Sequence, residues 1–378
     1  MNRIPRRTLL LAGAGIAVAA TVAESSARPC NAMPITAQPP AAAPAARRAL
    51  KPVSHWAAVF QQSWDYESAT AQPLSLSRDS QDHYDLAYTL DGNVAMFRAT
   101  GATRYLDRAL AYVENVVASA APSTSLTRST FRDRYRGWAS SKSGQDGDEV
   151  PLYESYFWRY GTQLLTAMRQ SAAVWGDPGY RARHARLLSF AEVDVFEKWY
   201  NRGAADTIYR DRTHMAAHWA LIALNLGRLT GDTARATRYR QVYTTIGGRI
   251  RNQMIRNPVE PTAYFWNDVW GSTRRPGQDV GHGNGVMAYV VEARDQGTTW
   301  NAADMTAFGN LLTKVIWPGG TTYHGYVDGT GMDNGWIADG FVKLGRYDAD
   351  VQHRLESYGV VNDQFAANMA LNAKILRA

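Results

Sequence analysis

The chain has 378 residues, 41 Lys+Arg against 34 Asp+Glu, and a formal charge of +7. That length builds one large domain or two ordinary ones, and the single cysteine, Cys30, excludes a disulfide framework and a cysteine metal site. The basic excess sits largely in the first fifty residues, where Arg3, Arg6, Arg7, Arg28, Arg47 and Arg48 face only Glu24. The remainder is near neutral, without the basic stripe that a nucleic-acid partner calls for.

In chain order, Arg6-Arg7 and Thr8 precede an apolar stretch from Leu9 to Ala23. This reads as a twin-arginine export signal over residues 1–27, too short and too rich in Ala and Gly to span a membrane. Residues 28–53 are rich in Ala and Pro and read as a disordered linker. A single catalytic domain is expected over 54–378, secreted or periplasmic, monomeric, and with no stable membrane insertion once the signal is removed.

Helical periodicity dominates that domain. Runs at Asp82 to Thr100 and Tyr105 to Val116 flank the turn Gly101-Ala102-Thr103, with Thr103 as the expected cap. The plan returns at Leu152 to Trp175 with Tyr180 to Trp199, and at Thr213 to Leu229 with Ala234 to Met254. It returns again at Gly285 to Ala293 with Ala302 to Ile316, and a final pair is expected at Asn334 to Leu344 with Asn362 to Leu376. Such pairs indicate an all-α solenoid or its closed form, an (α/α) toroid of six or seven hairpins. An open solenoid would offer a peptide groove. Twelve Trp and twenty Tyr favour a sugar cleft instead, because aromatic faces stack on sugar rings.

Four clusters carry possible chemistry. In Arg210-Asp211-Arg212-Thr213-His214, Thr213 can cap a helix on which His214 and His218 share a face. No Glu follows His214, so the zinc-protease pattern fails, and a core histidine is the plain alternative. In Gln278-Asp279-Val280-Gly281-His282-Gly283-Asn284-Gly285, a histidine and an asparagine stand at a helix mouth, suited to proton transfer and to an anion. The third phrase runs from Thr322 to Gly329 and on to Asp333-Asn334-Gly335-Trp336; Tyr323 or Tyr326 could serve as acid or base, or simply pack in a turn. The fourth, Asp148-Glu149 with Tyr153-Glu154-Ser155-Tyr156-Phe157-Trp158-Arg159, supplies in Glu149 and Glu154 carboxylates that could be catalytic or could be a cap and a helix-surface pair. Trp266 and Trp270 read as cleft wall with Tyr153 and Trp336, and Arg274-Arg275 as a carboxylate anchor.

On these phrases the chain resembles secreted double-helix toroid enzymes acting on uronic-acid polysaccharides, in particular alginate and glucuronan lyases of histidine/tyrosine type, from Ser80 onward. The resemblance implies β-elimination in a 1,4-linked uronate polymer, an anionic polysaccharide partner, and no metal or other cofactor. It places Asn284 and Arg212 on the carboxylate, His282 or His214 as base, and Tyr326 as acid with Tyr323 in reserve. Several such lyases carry an Asn-His dipeptide, and here His282-Gly283-Asn284 stands in its place. The rival is a glycoside hydrolase with paired carboxylates among Asp85, Glu154, Asp268, Asp279 and Asp333, although the consecutive aspartates of one toroid mannanase group are missing. A uronate epimerase and a non-catalytic sugar-binding protein are the further alternatives.

Overall fold

Helices start where the sequence supplies a cap. Asp79, Asp177, Asp232, Asp279, Asn301, Asp348 and Asn362 each accept a first-turn N–H through the side chain. The two threonines expected as caps do not act so: Ala102 and Arg212 hold those positions, and the Thr213 hydroxyl turns to Gln278 instead.

The computed structural model describes residues 49–377; the export signal and nearly all of the linker lie outside them. The main helices are α1 (Val53–Ser75), α2 (Ser80–Thr100), α3 (Thr103–Ser119), α4 (Pro151–Gln170) and α5 (Pro178–Phe190). They continue with α6 (Thr213–Leu229), α7 (Thr233–Gln253), α8 (Val280–Asp295), α9 (Ala302–Asn310), α10 (Ala349–Leu355) and α11 (Asp363–Ile375). Helices α5 and α9 run on through π-helical stretches at Ala191–Glu197 and Leu311–Ile316.

These elements form two concentric rings. The inner ring is α2, α4, α6, α8, a 3₁₀ turn at Phe341–Arg346, and α11; each packs on the next, and α11 returns to α2. The outer ring is α1, α3, α5, α7, α9 and α10. The fold is therefore an all-α, six-paired (α/α) toroid. Burial follows the same division. Helices α4, α6, α8 and α11 are buried on nearly every side, whereas α7 buries only Tyr239, Val242, Ile246, Gly247 and Ile250, one face at helical spacing.

Three elements differ from the sequence expectation. Helices α1 and α10 were not anticipated, and the helix expected at 334–344 is only the 3₁₀ turn. Gly335, at φ 81°, breaks the earlier half. Segments 334–344 and 362–376 are thus not one hairpin: both face inward, with α10 between them on the outside.

The interior of the ring is polar. Lys343 pairs with Asp91 at 2.8 Å, and Gln364 and Asn368 donate to the same carboxylate. Arg159 pairs with Asp339 at 2.6 Å, both fully buried. Buried charges survive only when paired and hydrogen-bonded, so these groups fix how the inner helices register.

Each pair runs out and back, so the inner elements share one direction and their N-termini share one end. The long links cross that end. Ser80 N–H donates to Ala139 O at 3.0 Å, Thr213 N–H to Asp268 O at 2.9 Å, and Val280 N–H to Gly325 O at 2.8 Å. Two short ribbons stiffen the links, Ala121–Pro122 with Arg136–Gly137 and Ile255–Arg256 with Tyr264–Phe265. Among the described residues no helix is long and apolar enough to cross a membrane.

Candidate active site

The start of α8 sets a carboxylate against a histidine at that end. Asp279 caps the helix by accepting the His282 N–H at 2.9 Å, and its two carboxylate oxygens each lie 2.9 Å from His282 Nδ1. One carboxylate therefore ends the helix and orients the ring. With Nδ1–H donating to it, Nε2 is the acceptor of the neutral imidazole. The His282 side chain is 59% exposed, so the ring is open to solvent.

His214, in the first turn of α6, lies beneath this ring with centroids 4.4 Å apart. His218 follows one turn on, and its ring meets that of Tyr156 edge-on at 5.1 Å. Gly285 allows this packing: a Cβ there would stand 2.6 Å from His218 Nε2. Both ring nitrogens of His214 and Nδ1 of His218 are buried without a hydrogen-bond partner among the described residues. Those three histidines do not converge as metal ligands, and no other such group does among the described residues.

The electrostatics separate the rings. The hydrogen bond His282 donates to Asp279 raises His282 above the usual 6.5, with the charges of Asp279 and Asp268 adding to it against burial and Arg212. Burial, then the charge of His282, lowers His214 to about 3. Burial, then the charge of Arg159, takes His218 well below its ordinary value. Burial would raise Asp279, but its bonds to His282 outweigh that and the carboxyl is lowered.

Aromatic residues continue the arc across α4 and α2. Tyr84 stacks on Tyr156 at 3.9 Å, and Tyr88 meets Trp336 edge-on at 5.3 Å. Behind them Tyr156 donates to Asp339 at 2.9 Å, Tyr160 donates at 2.5 Å, and Arg159 completes the set. Burial raises the hydroxyl pKa of Tyr84, Tyr88 and Tyr156, which keeps all three protonated.

Of the residues singled out from sequence, the structure brings the rings of His214 and His282 together and pairs the backbone of Tyr326 with that of Asp279. Tyr326 lies on a segment paired antiparallel with Asp279, and Val327 N–H donates to Gln278 O at 3.0 Å. Arg212 stands at the start of α6, ion-paired with Asp268 and 49% exposed. Trp336 is half-buried beside Tyr88. Trp270 is half-buried and donates to Arg210 O at 2.8 Å, joining two links.

Other assignments are corrected. Asn284 is fully buried; its amide donates to Val280 O, Gly281 O and Trp336 O at 3.1, 3.3 and 2.8 Å and accepts from Phe341 N–H at 3.2 Å. It joins α8 to the 3₁₀ segment and has no amide hydrogen left for a carboxylate. Trp266 is core, 1% exposed and packed on Phe308 and Phe341. Tyr153 is buried and donates to Gln145 at 2.6 Å. Tyr323 packs on Tyr358 at 5.3 Å, away from the histidine pairings. Arg275 is held by Asp328 at 2.8 Å, while Arg274 is exposed and its carbonyl accepts from Asn267. Glu149 and Glu154 are buried with Arg202 and Lys198 and secure the link 121–149.

Sequence reading gave no role of their own to Arg159, Asp339, Tyr156, Tyr84 and Tyr88. A signal existed for the first two. A charge inside Tyr156-Phe157-Trp158-Arg159-Tyr160, and another inside Ile337-Ala338-Asp339, must be paired if the apolar neighbours are buried.

No protein-family model and no curated protein matches the chain. Two solved structures do, both inactive variants of the α-1,6-mannanase GH76A of Salegentibacter sp. HEL1_6, in complex with α-1,6-mannotriose and α-1,6-mannotetrose. Their identities are 10% and 11%, each with a TM-score of 0.45, covering 83% of this chain and 99% of theirs. Neither is a uronate lyase, so the lyase resemblance drawn from the sequence is not repeated among the matches.

Proposed function

We propose that this chain is a carbohydrate-active enzyme that cleaves a uronic-acid polysaccharide by β-elimination at the N-terminal end of its inner ring. The Asp279–His282 pair carries the reading: a carboxylate fixes Nδ1 of a half-exposed imidazole and leaves Nε2 to act on substrate. His282 Nε2 takes the proton beside the substrate carboxylate. The C–H electrons form the new carbon–carbon double bond as the bond to the 4-linked oxygen breaks. A tyrosine hydroxyl, from Tyr326 or from the Tyr84/Tyr88 pair, protonates the leaving oxygen. Arg212, beside Asp268, supplies positive charge at the mouth. In this reading residues 1–27 export the enzyme by the twin-arginine route to a polymer too large to enter a cell, and it acts there as a monomer.

Hydrolysis is the second reading, favoured by one observation. Asp268, paired with Arg212 at the start of α6, and Asp279, at the cap of α8, are carboxylates from separate segments at the same end of two neighbouring inner helices. The experiment incubates the mature protein with alginate, glucuronan, pectate and α-1,6-mannan. Ultraviolet absorbance from an unsaturated sugar end, lost in a folded His282→Ala variant, supports elimination. New reducing ends without that absorbance overturn it and favour hydrolysis.

A further inference from the structure

Gln278 has no part in the reaction above, yet its side chain sits at the junction of the whole site. It is fully buried. Its Nε2 donates to Asp279 Oδ2 at 3.0 Å, and its Oε1 accepts from Thr213 Oγ1 at 2.9 Å. The backbone is fixed as well: Gln278 N–H donates to Trp266 O at 3.0 Å, and Gln278 O accepts from Val327 N–H at 3.0 Å. A buried primary amide bonded at both ends cannot turn over without orphaning a partner.

We infer that Gln278 is a positioning residue that locks Asp279 against His282 and ties that pair to the start of α6 through Thr213. The series runs Thr213 Oγ1, Gln278, Asp279, His282. The Gln278 amide holds one face of the carboxylate, so both oxygens stay turned toward Nδ1. The same amide joins the first turn of α6, which carries His214, to the cap of α8, which carries His282. It therefore sets both the tautomer of His282 and the stacking of the two rings. The charged and titratable groups coupled to His282 include Asp279, Asp268, Arg212, His214 and His218, from the links and from α6. Gln278 governs the nearest of them without adding charge of its own.

This inference rests on His282 being the acid–base residue only for its kinetic part. The test uses the full mature protein and two variants, Gln278→Met, which fills nearly the same space without donor or acceptor, and the isosteric Thr213→Val. Ring-nitrogen NMR of His282 is read across a pH titration. The native protein is expected to show one neutral tautomer, protonated at Nδ1. Gln278→Met is expected to show a mixture, with the titration midpoint moved back toward 6.5. Thr213→Val should move both in the same direction to a smaller extent. On a cleaved polymer, Gln278→Met should lower kcat about 10-fold with KM little changed. A folded Gln278→Met protein with native tautomer and midpoint overturns the inference. If that variant does not fold, an unchanged His282 in Thr213→Val overturns it. Absence of turnover on every polymer refutes the proposed reaction, while the NMR comparison still decides the role of Gln278.

Discussion

The rings of His214 and His282 lie 4.4 Å apart and tilted by 34°, yet their basicities are shifted in opposite directions. The hydrogen bond that His282 donates to Asp279 makes His282 the more basic, and burial lowers His214 to about 3. His282 is the one of the two shifted upward, and as a base it must be neutral. The acid limb of kcat/KM should therefore inflect above the ordinary 6.5 of histidine. Asp279→Asn should bring the limb down and lower the rate. An inflection below 6 in the native enzyme would contradict His282 as the base.

Acid should unfold the protein through its buried histidines. His83 is lowered to about 4, chiefly by burial, and His214 to about 3. Their folded pKa values are depressed, so below 6.5 the unfolded chain binds protons that the folded chain refuses. Stability then falls with pH, by at most about 1.4 kcal/mol per pH unit for each histidine. His282 works the other way: its contribution is complete below 6.5 and disappears as pH rises through its raised pKa. Urea denaturation at pH 7 and pH 5 should give the lower stability at pH 5, and His83→Gln should reduce the difference. Equal stabilities would contradict neutral burial.

Asn284 should be a residue of structure. Asn284→Ala removes buried partners on both α8 and the 3₁₀ segment, at about 1–3 kcal/mol for a buried group left unsatisfied. Gly340→Ala should be at least as damaging, because a Cβ there would overlap the Asn284 backbone. Both losses would appear as a lowered denaturation midpoint. A variant of Asn284 with native stability and no activity would return that residue to the substrate.

The Arg159–Asp339 pair and Trp336 should separate stability from binding. Arg159→Met strands a buried carboxylate among Tyr156, Tyr160 and Gln364, at about 3–5 kcal/mol. Trp336→Ala removes a half-buried ring at the mouth and should raise KM severalfold with little change in thermal midpoint. The reverse pattern would place Trp336 in the core and Arg159 at the surface of the site.

The toroid was legible because most inner helices are nearly continuous in burial and outer ones such as α7 bury one face at helical spacing, so periodicity located most of both rings, though not the outer α1 and α10. The 3₁₀ segment was not, because Gly335 and Gly340 interrupt a pattern that otherwise reads as helical. His214 and His282 could be nominated separately from their helix starts. Their stacking could not, since it depends on α6 and α8 being neighbours in the inner ring. Asn284 misled for a chemical reason: an amide at a helix mouth suits an anion and a backbone carbonyl equally well. Trp266 misled similarly, because aromatic composition does not say which rings face the cleft.

The contact of α11 with α2 sets the terms on which this molecule can fold. Each inner helix leans on two neighbours, and for α2 one of those comes from the far end of the sequence. A chain stopped before α11 would leave apolar surface bare along α1 and α2, with no local partner to cover it. Closure must therefore come late, through an encounter between distant segments, and until then the open arc is a species liable to aggregate. Once the seam shuts, Arg377 reaches back to donate to Leu50 O at 3.0 Å, so a permuted chain joined there and opened at an outer turn should build the same ring.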